Sequence, residues 1–261
     1  MDDNESLKKE IEKLKHELDE TKASSRQYLQ NVAHQLTAPL GAIKWSIEAL
    51  KDETIPISRK KGLLSSIYSQ ATILVHLIKN FTLMSNLEAD HELGQFREQP
   101  ESVEMKRLAI NLANDFQPQA KEAEIKIDVN SSSFDKVFGG QLIKIEKNLV
   151  AQAMSNIIEN AVKYAESSST IKINACQSTD GVGVQIENIG IPINNEEKRE
   201  LFKRGFRGQA AKQKVAAGTG IGLYLASRVM SFHGGTIEVE NEGKQSRFIL
   251  IFPHKIVTKG R

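Results

Sequence analysis

Apolar residues in the first thirty positions fall at Leu7, Ile11, Leu14 and Leu18, alternating spacings of four and three. Thr21, Ser25, Tyr28 and Val32 carry the register onward. With lysine and glutamate at many positions between, this heptad pattern predicts a parallel coiled coil over residues 1–30. The helix is expected to run on through His34 to about Lys51 despite Pro39, whose missing N–H removes one helical hydrogen bond and usually bends the axis. Asp52–Ser58, containing Pro56, reads as a turn. A second helix over Arg59–Leu87 repeats Leu63, Ile67, Ala71, Leu74, Ile78 and Phe81 at near-heptad spacing. Two such helices per chain, doubled in a homodimer, make a four-helix bundle.

The helical pattern stops around Leu93–Pro100, and an alternation of helices and strands follows. Met105–Ala120, Asn148–Ala165 and Gly222–His233 carry helical patterns. Strands are expected at Ile125–Val129, Ile171–Ala175, Val182–Glu187, Thr236–Glu240 and Arg247–Phe252. Val137-Phe-Gly-Gly followed by Leu142–Glu146 predicts a hairpin. Helices grouped against a mostly antiparallel sheet make an α/β sandwich, so the whole chain is predicted to be α+β. The expected divisions are residues 1–30, 31–95 and 96–261.

A net charge of +2 gives no reason to expect nucleic acid or an anionic membrane surface as a partner. The single cysteine, Cys176, excludes an intramolecular disulfide and suits a reducing compartment. No apolar run approaches the roughly 18 residues of a membrane span, and the charged N-terminus is no signal peptide. The expected location is cytoplasmic, either as a free protein or as the cytoplasmic portion of a longer, membrane-attached or sensor-linked one.

Two segments carry the chemistry. Asn156 and Asn160 lie four residues apart in an apolar helical pattern, with Lys163 three further on, so both amides share a face. About sixty residues later, Gly218, Gly220 and Gly222 open another helical run, where backbone N–H groups can approach an anionic oxygen. Amides for a metal ion, a lysine for phosphate charge and glycines for close backbone contact together describe a nucleotide site. His34 sits in a mostly apolar helix just before a proline. A neutral imidazole nitrogen is a competent nucleophile, and attack in line on a γ-phosphate gives phosphohistidine. His16, His76, His91, His233 and His254 lack this setting and read as surface or packing residues.

These segments resemble the boxes of the sensor histidine kinases of two-component signalling. Asn156–Ala165 is similar to the N box, Leu201–Gly208 to the F box and Gly218–Leu223 to the second glycine box. Asn31–Ile43, with His34 and a proline five residues on, is similar to the H box. The resemblance implies a dimeric helical-hairpin bundle that presents His34, followed by an ATP-binding sandwich of the kind shared with DNA gyrase and a class of heat-shock chaperones. It implies ATP and Mg2+ as cofactors and the receiver domain of a response regulator as partner. Asn160 and Asn156 would position magnesium, Lys163 would offset phosphate charge, and Tyr164 would pack beside the adenine. Asn188 and Gly190 correspond to the first glycine box, Phe202 and Arg207 to the F box, and Gly218, Thr219, Gly220, Gly222 and Leu223 to the second. Residues 205–218, with Arg207, Lys212 and Lys214, have the composition of a lid over the phosphates.

Three departures from the family pattern matter. Gln35 stands where the largest classes have an acid, and an amide can accept a hydrogen bond but cannot hold a proton. Losing a general base typically costs roughly 10²–10⁴ in rate, so autophosphorylation is expected to be slow. Ala38 replaces the polar residue that orients water in relatives with phosphatase activity, which predicts weak dephosphorylation of the partner. Asn188 replaces an aspartate that accepts from the adenine amino group, and Pro192 replaces a glycine. ATP binding is expected to survive, weakened. Two other readings stay open: a catalytically weak or inactive regulatory scaffold, and a simple ATPase or chaperone. Asn156, in place of the glutamate of hydrolytic relatives, argues against the second.

Overall fold

The computed structural model describes the chain over residues 2–90, 99–215 and 218–259. Its first element is one continuous helix, α1 (Asp2–Leu50). Side chains of Leu7, Leu18, Thr21, Ser25 and Tyr28 lie outside the described residues, while Ile11 and Leu14 are exposed. Pro39 is buried inside α1 without ending it. Its ring nitrogen has no hydrogen to offer the carbonyl four residues back, which belongs to Gln35. Two residues earlier Thr37 Oγ1 donates to the Ala33 carbonyl at 2.8 Å. The chain reverses at Asp52, whose carboxylate accepts from the Thr54 N–H and hydroxyl at 2.9 and 2.6 Å. The returning helix, α2 (Ile57–Asp90), packs along α1 as a helical hairpin.

The second half holds β1 (Glu101–Val103), α3 (Met105–Glu122), β2 (Lys126–Val129), α4 (Ser131–Phe138), β3 (Leu142–Ile145), α5 (Lys147–Tyr164), β4 (Thr170–Gln177) and β5 (Gly181–Ile189). After these come α6 (Gln209–Lys214), α7 (Gly222–Phe232), β6 (Thr236–Glu242), β7 (Gln245–Pro253) and β8 (Val257–Thr258). Five strands form the main sheet in the order β2-β4-β5-β7-β6, parallel only between β2 and β4. A small antiparallel sheet, β1-β3-β8, stands beside it.

The predicted hairpin at Val137–Glu146 does not form. Ser131–Phe138 is a helix instead, capped by Asn130, whose side chain accepts from the Ser133 N–H, and closed by Gly139 in the left-handed region at φ 54°. The two glycines end a helix rather than turning a strand. Leu142–Ile145 pairs with β1 and β8, which are distant in sequence.

Strand alternation decides what the sheet shows to the helices. Val184, Ile186 and Asn188 of β5 face the same way as their partners Leu250, Phe248 and Ser246 of β7. The apolar pairs are buried under α5 and α7, and the row ends on the polar pair Asn188 and Ser246. Leu83 and Met84, near the end of α2, join this same core, which ties the hairpin to the sheet domain. No described helix is long and apolar enough to cross a membrane.

Candidate active site

Where the inward row turns polar, a cavity opens between α5, the end of β5 and the loop before α7. Helical spacing brings Asn156, Asn160 and Lys163 to it from one face of α5, and Tyr164, Asn188, Arg207, Gly218, Thr219, Gly220, Gly222 and Leu223 also line it. Gly190 and Phe202 are not among the lining residues; Phe206 and Leu201 of the same segment are. Gly190 has another task. A Cβ there would lie 2.1 Å from the Tyr164 carbonyl oxygen, so only glycine lets β5 close against the end of α5.

The two amides are not equivalent. Asn156 is 2% exposed and fully committed. Its oxygen accepts from Asn80 Nδ2 at 2.7 Å and from Gln152 Nε2 at 3.3 Å, and its Nδ2 donates to the Gly222 carbonyl at 3.1 Å. It braces α5 against both α2 and the start of α7. Asn160 makes no side-chain hydrogen bond to another described residue, so its oxygen is available to a cation. Glu159, between them, borders the same space, and burial pushes its carboxyl above the usual range against the pull of Lys163. Burial lowers the Lys163 ammonium, an effect that Glu159 opposes and Arg207 reinforces. A phosphate group arriving there would restore the charge that burial disfavours. Among the described residues no cluster of histidine, cysteine and carboxylate could hold a metal unaided. The donor set fits a magnesium ion that takes most of its ligands from phosphate and water, with Asn160 as the protein oxygen.

At the other end, Asn188 is buried beside Ser246, whose hydroxyl makes no hydrogen bond to another described residue. Two neighbouring polar groups in an apolar wall fit a base edge with both donors and acceptors. Ser246 escaped the sequence reading because it belongs to no motif; only the register of β7 against β5 places it there.

The segment read as a lid holds the short helix α6. Arg207 Nη2 donates to the Ala211 carbonyl at 3.2 Å and also to that of Val215, which folds the segment onto itself. Lys214 Nζ reaches the Tyr164 and Ala165 carbonyls at 2.9 and 2.6 Å, a cation at the C-terminus of α5 where the helix dipole favours it. Residues 216–217 of this segment lie outside the described ones. At the loop, Gly220 holds φ 67°, and an added Cβ would sit 2.6 Å from the Gly205 carbonyl carbon and the Phe206 oxygen.

His34 is exposed on α1 and is not part of the cavity wall, but its neighbour Gln35 is. With the amide turned so that its oxygen faces the loop, Gln35 accepts from the Gly218 and Thr219 N–H groups, each at 3.0 Å. The other histidines divide as packing residues and surface residues. His76 is buried against Phe116 with ring centroids 4.9 Å apart. His233 accepts from the Glu146 N–H at 3.0 Å, with its other nitrogen 2.8 Å from the Val229 carbonyl. His16 and His254 are exposed, and His91 lies outside the described residues.

Comparison with known proteins agrees with this geometry. Residues 145–256 match the histidine kinase-, DNA gyrase B- and HSP90-like ATPase family, and residues 24–90 match the His kinase A (phospho-acceptor) domain. Sensor-like histidine kinase SenX3 of Mycobacterium tuberculosis is 25% identical over 232 residues, covering 88% of this chain and 54% of SenX3. Sensor protein KdpD of Clostridium acetobutylicum is 27% identical, over 92% of this chain and 26% of its own length. The chain thus spans about half the length, or less, of these curated relatives. Two solved structures share the fold. Histidine kinase AdeS of Acinetobacter baumannii has a TM-score of 0.52 at 21% identity, covering 84% of this chain and 97% of that one. Full-length ShkA in complex with AMPPNP has a TM-score of 0.56 at 18% identity, covering 90% and 47%. A phospho-acceptor hairpin followed in one chain by an ATPase sandwich is the arrangement of two-component sensor histidine kinases, and this chain belongs to that family.

Proposed function

We propose that the chain is the kinase portion of a sensor protein, which transfers the γ-phosphate of ATP to His34 and then to an aspartate of a response regulator. The observation that carries this reading is the cavity itself, bordered by nucleotide-site residues and also by Gln35, the residue next to His34. An imidazole nitrogen of His34 attacks the γ-phosphorus in line, the bond to the bridging oxygen of ADP breaks, and the other ring nitrogen gives up its proton. Gln35 cannot take that proton, so it passes to water. Magnesium, when bound, neutralises charge on the leaving diphosphate. Asn160 would hold it through the amide oxygen, and Lys163 adds a second positive charge. Asn188 and Ser246 select the adenine edge, and Tyr164 packs beside the ring. The glycine loop supplies backbone N–H donors to the phosphates, as a helix N-terminus does.

A homodimer supports this chemistry. Leu40, Trp45, Ile47, Leu64, Val75 and Ile78 are large apolar side chains left exposed on the hairpin, and Trp45 is 62% exposed. Pairing two hairpins into a four-helix bundle would bury them. The regulator would dock on the bundle near the exposed His34, and the chain would work inside the cell, where ATP is.

The test is incorporation of labelled γ-phosphate from ATP, with acid-lability analysis and His34→Ala and Asn160→Ala controls. Acid-labile label that disappears in both variants is the expected result. Undiminished ATP binding without any label would instead favour the regulatory scaffold, the reading that Gln35 and Ala38 motivate.

A further inference from the structure

The hairpin does not merely lie near the nucleotide cavity; it completes it. Gln35 of α1 and Leu77 and Asn80 of α2 form part of the wall, alongside α5 and the glycine loop of the same chain. The attachment runs along one side of α2. Ser69 Oγ donates to Glu122 of α3 at 3.3 Å, and His76 stacks on Phe116. Asn80 bridges Asn156 and Gln152 at 2.7 and 2.9 Å, and Leu83 and Met84 enter the catalytic core. Leu64, Val75 and Ile78, which remain exposed, lie on the opposite side of α2 at 3.6 residues per turn. The face open to a second copy and the face that grips the catalytic domain are therefore different. Dimerisation leaves the grip intact.

The Gly218 and Thr219 N–H groups form the paired donor that a phosphate oxygen requires, and here they point at a side-chain oxygen of Gln35. That oxygen occupies both donors, which a phosphate oxygen would otherwise use. The residue before it is the phosphoacceptor.

We infer that phosphoryl transfer runs within one protomer. Each catalytic domain phosphorylates His34 of its own chain, and the Gln35 amide serves as a placeholder that keeps α1 in register on the glycine loop until phosphate displaces it. The inference rests on the kinase reading above and specifies its geometry. In that step an N–P bond forms at His34, the P–O bond to ADP breaks, and the ring proton leaves to water.

The experiment uses mixed dimers. A His34→Ala chain with an intact nucleotide site is co-expressed with an Asn160→Ala chain that retains His34. The two carry different affinity tags, and heterodimers are isolated through both. With labelled ATP, transfer within a protomer leaves the heterodimer as unlabelled as either variant homodimer. Label on the Asn160→Ala chain at around half the wild-type rate would overturn the inference. Wild-type dimers run in parallel separate the two levels, since their failure to label sinks the kinase reading itself. The placeholder has its own readout. Gln35→Ala frees both donors, and equilibrium titration of the full chain with ATP should show affinity tightened by roughly threefold to tenfold. Unchanged or weaker affinity would overturn the placeholder role.

Discussion

Removing the titratable nitrogen of His76 tests the contact between hairpin and catalytic domain in a single number. His76 is 8% exposed, stacked on Phe116, and its Nδ1 has no hydrogen-bond partner among the described residues. Desolvation, reinforced by Lys79, holds its imidazole down at about 4 instead of 6.5. The other charged group facing the cleft, Asp115 of α3, is itself raised by burial and drawn down by Lys79. The docked, folded state therefore binds fewer protons than a state in which His76 meets water. Its stability is fully present above the ordinary imidazole pKa, and falls as pH drops through 6.5 toward 4. Near pH 5 the released imidazole is almost wholly protonated and the docked one mostly neutral, a difference worth about 2 kcal/mol. Phenylalanine keeps the stack and removes the proton site. Urea unfolding followed by circular dichroism, on wild type and His76→Phe at about pH 7.5 and about pH 5, isolates this contribution, because every other titration cancels in the double difference. The acid-induced loss should be smaller in the variant by about 2 kcal/mol. Equal losses in both proteins would refute the argument, and with it the burial of His76 in solution.

Asn80→Ala strips a partner from two buried amides, Asn156 and Gln152, and should cost about 1–3 kcal/mol in unfolding free energy at neutral pH, with no change in the acid-dependent component. Gly220→Ala places a methyl group against the Gly205–Phe206 backbone at positive φ, so the loop must open. ATP affinity should fall at least about tenfold while far-ultraviolet dichroism stays native, and an unchanged affinity would contradict the loop geometry. Gln35→Glu supplies a proton acceptor beside His34 but also a carboxylate, a stronger partner than the amide for the Gly218 and Thr219 N–H groups. Labelling of His34 should show kcat raised, by up to roughly 10²-fold, together with a higher KM for ATP. A variant no faster than wild type at saturating ATP would sink the account of Gln35 as a missing base. Ala38→Thr should increase the rate at which a phosphorylated regulator loses its phosphate on mixing with this chain, and an unaltered rate would show that Ala38 is not what limits that reaction.

The elements legible in the sequence are those with a sustained apolar pattern. The two helices of the hairpin, the strands β4, β5, β6 and β7 and the helices α3, α5 and α7 all follow from apolar spacing. Leu142–Glu146 reads correctly as a strand, but Val137–Gly140 reads as a hairpin arm and turn because three serines precede the helix core and two glycines follow it, a composition that signals turns at both ends. The Asn130 cap and the left-handed Gly139 turn those signals into helix boundaries. In the site, local spacing was enough for Asn156, Asn160 and Lys163, which share a helix face. It could not separate the roles of the two amides, since the commitment of Asn156 depends on Asn80, 76 residues earlier. Ser246 and the contact of Gln35 with the glycine loop depend on sheet register and on domain docking, and neither leaves a mark in a local window.

The burial of Leu83 and Met84 sets where the molecule can hinge. With this end of α2 fixed in the catalytic core, any tilt of the helix has its pivot there. Ser69 lies about 22 Å along the axis from Met84, His76 about 12 Å and Asn80 about 6 Å, at 1.5 Å per residue. A tilt of about 10° then moves the three positions by roughly 4, 2 and 1 Å. The Ser69–Glu122 bond breaks, the His76 stack loosens, and the Asn80 bridge only stretches. Opening would proceed like a zip from the far end, so a signal arriving through α1 could be read in steps, with the bridge to the nucleotide site the last to part.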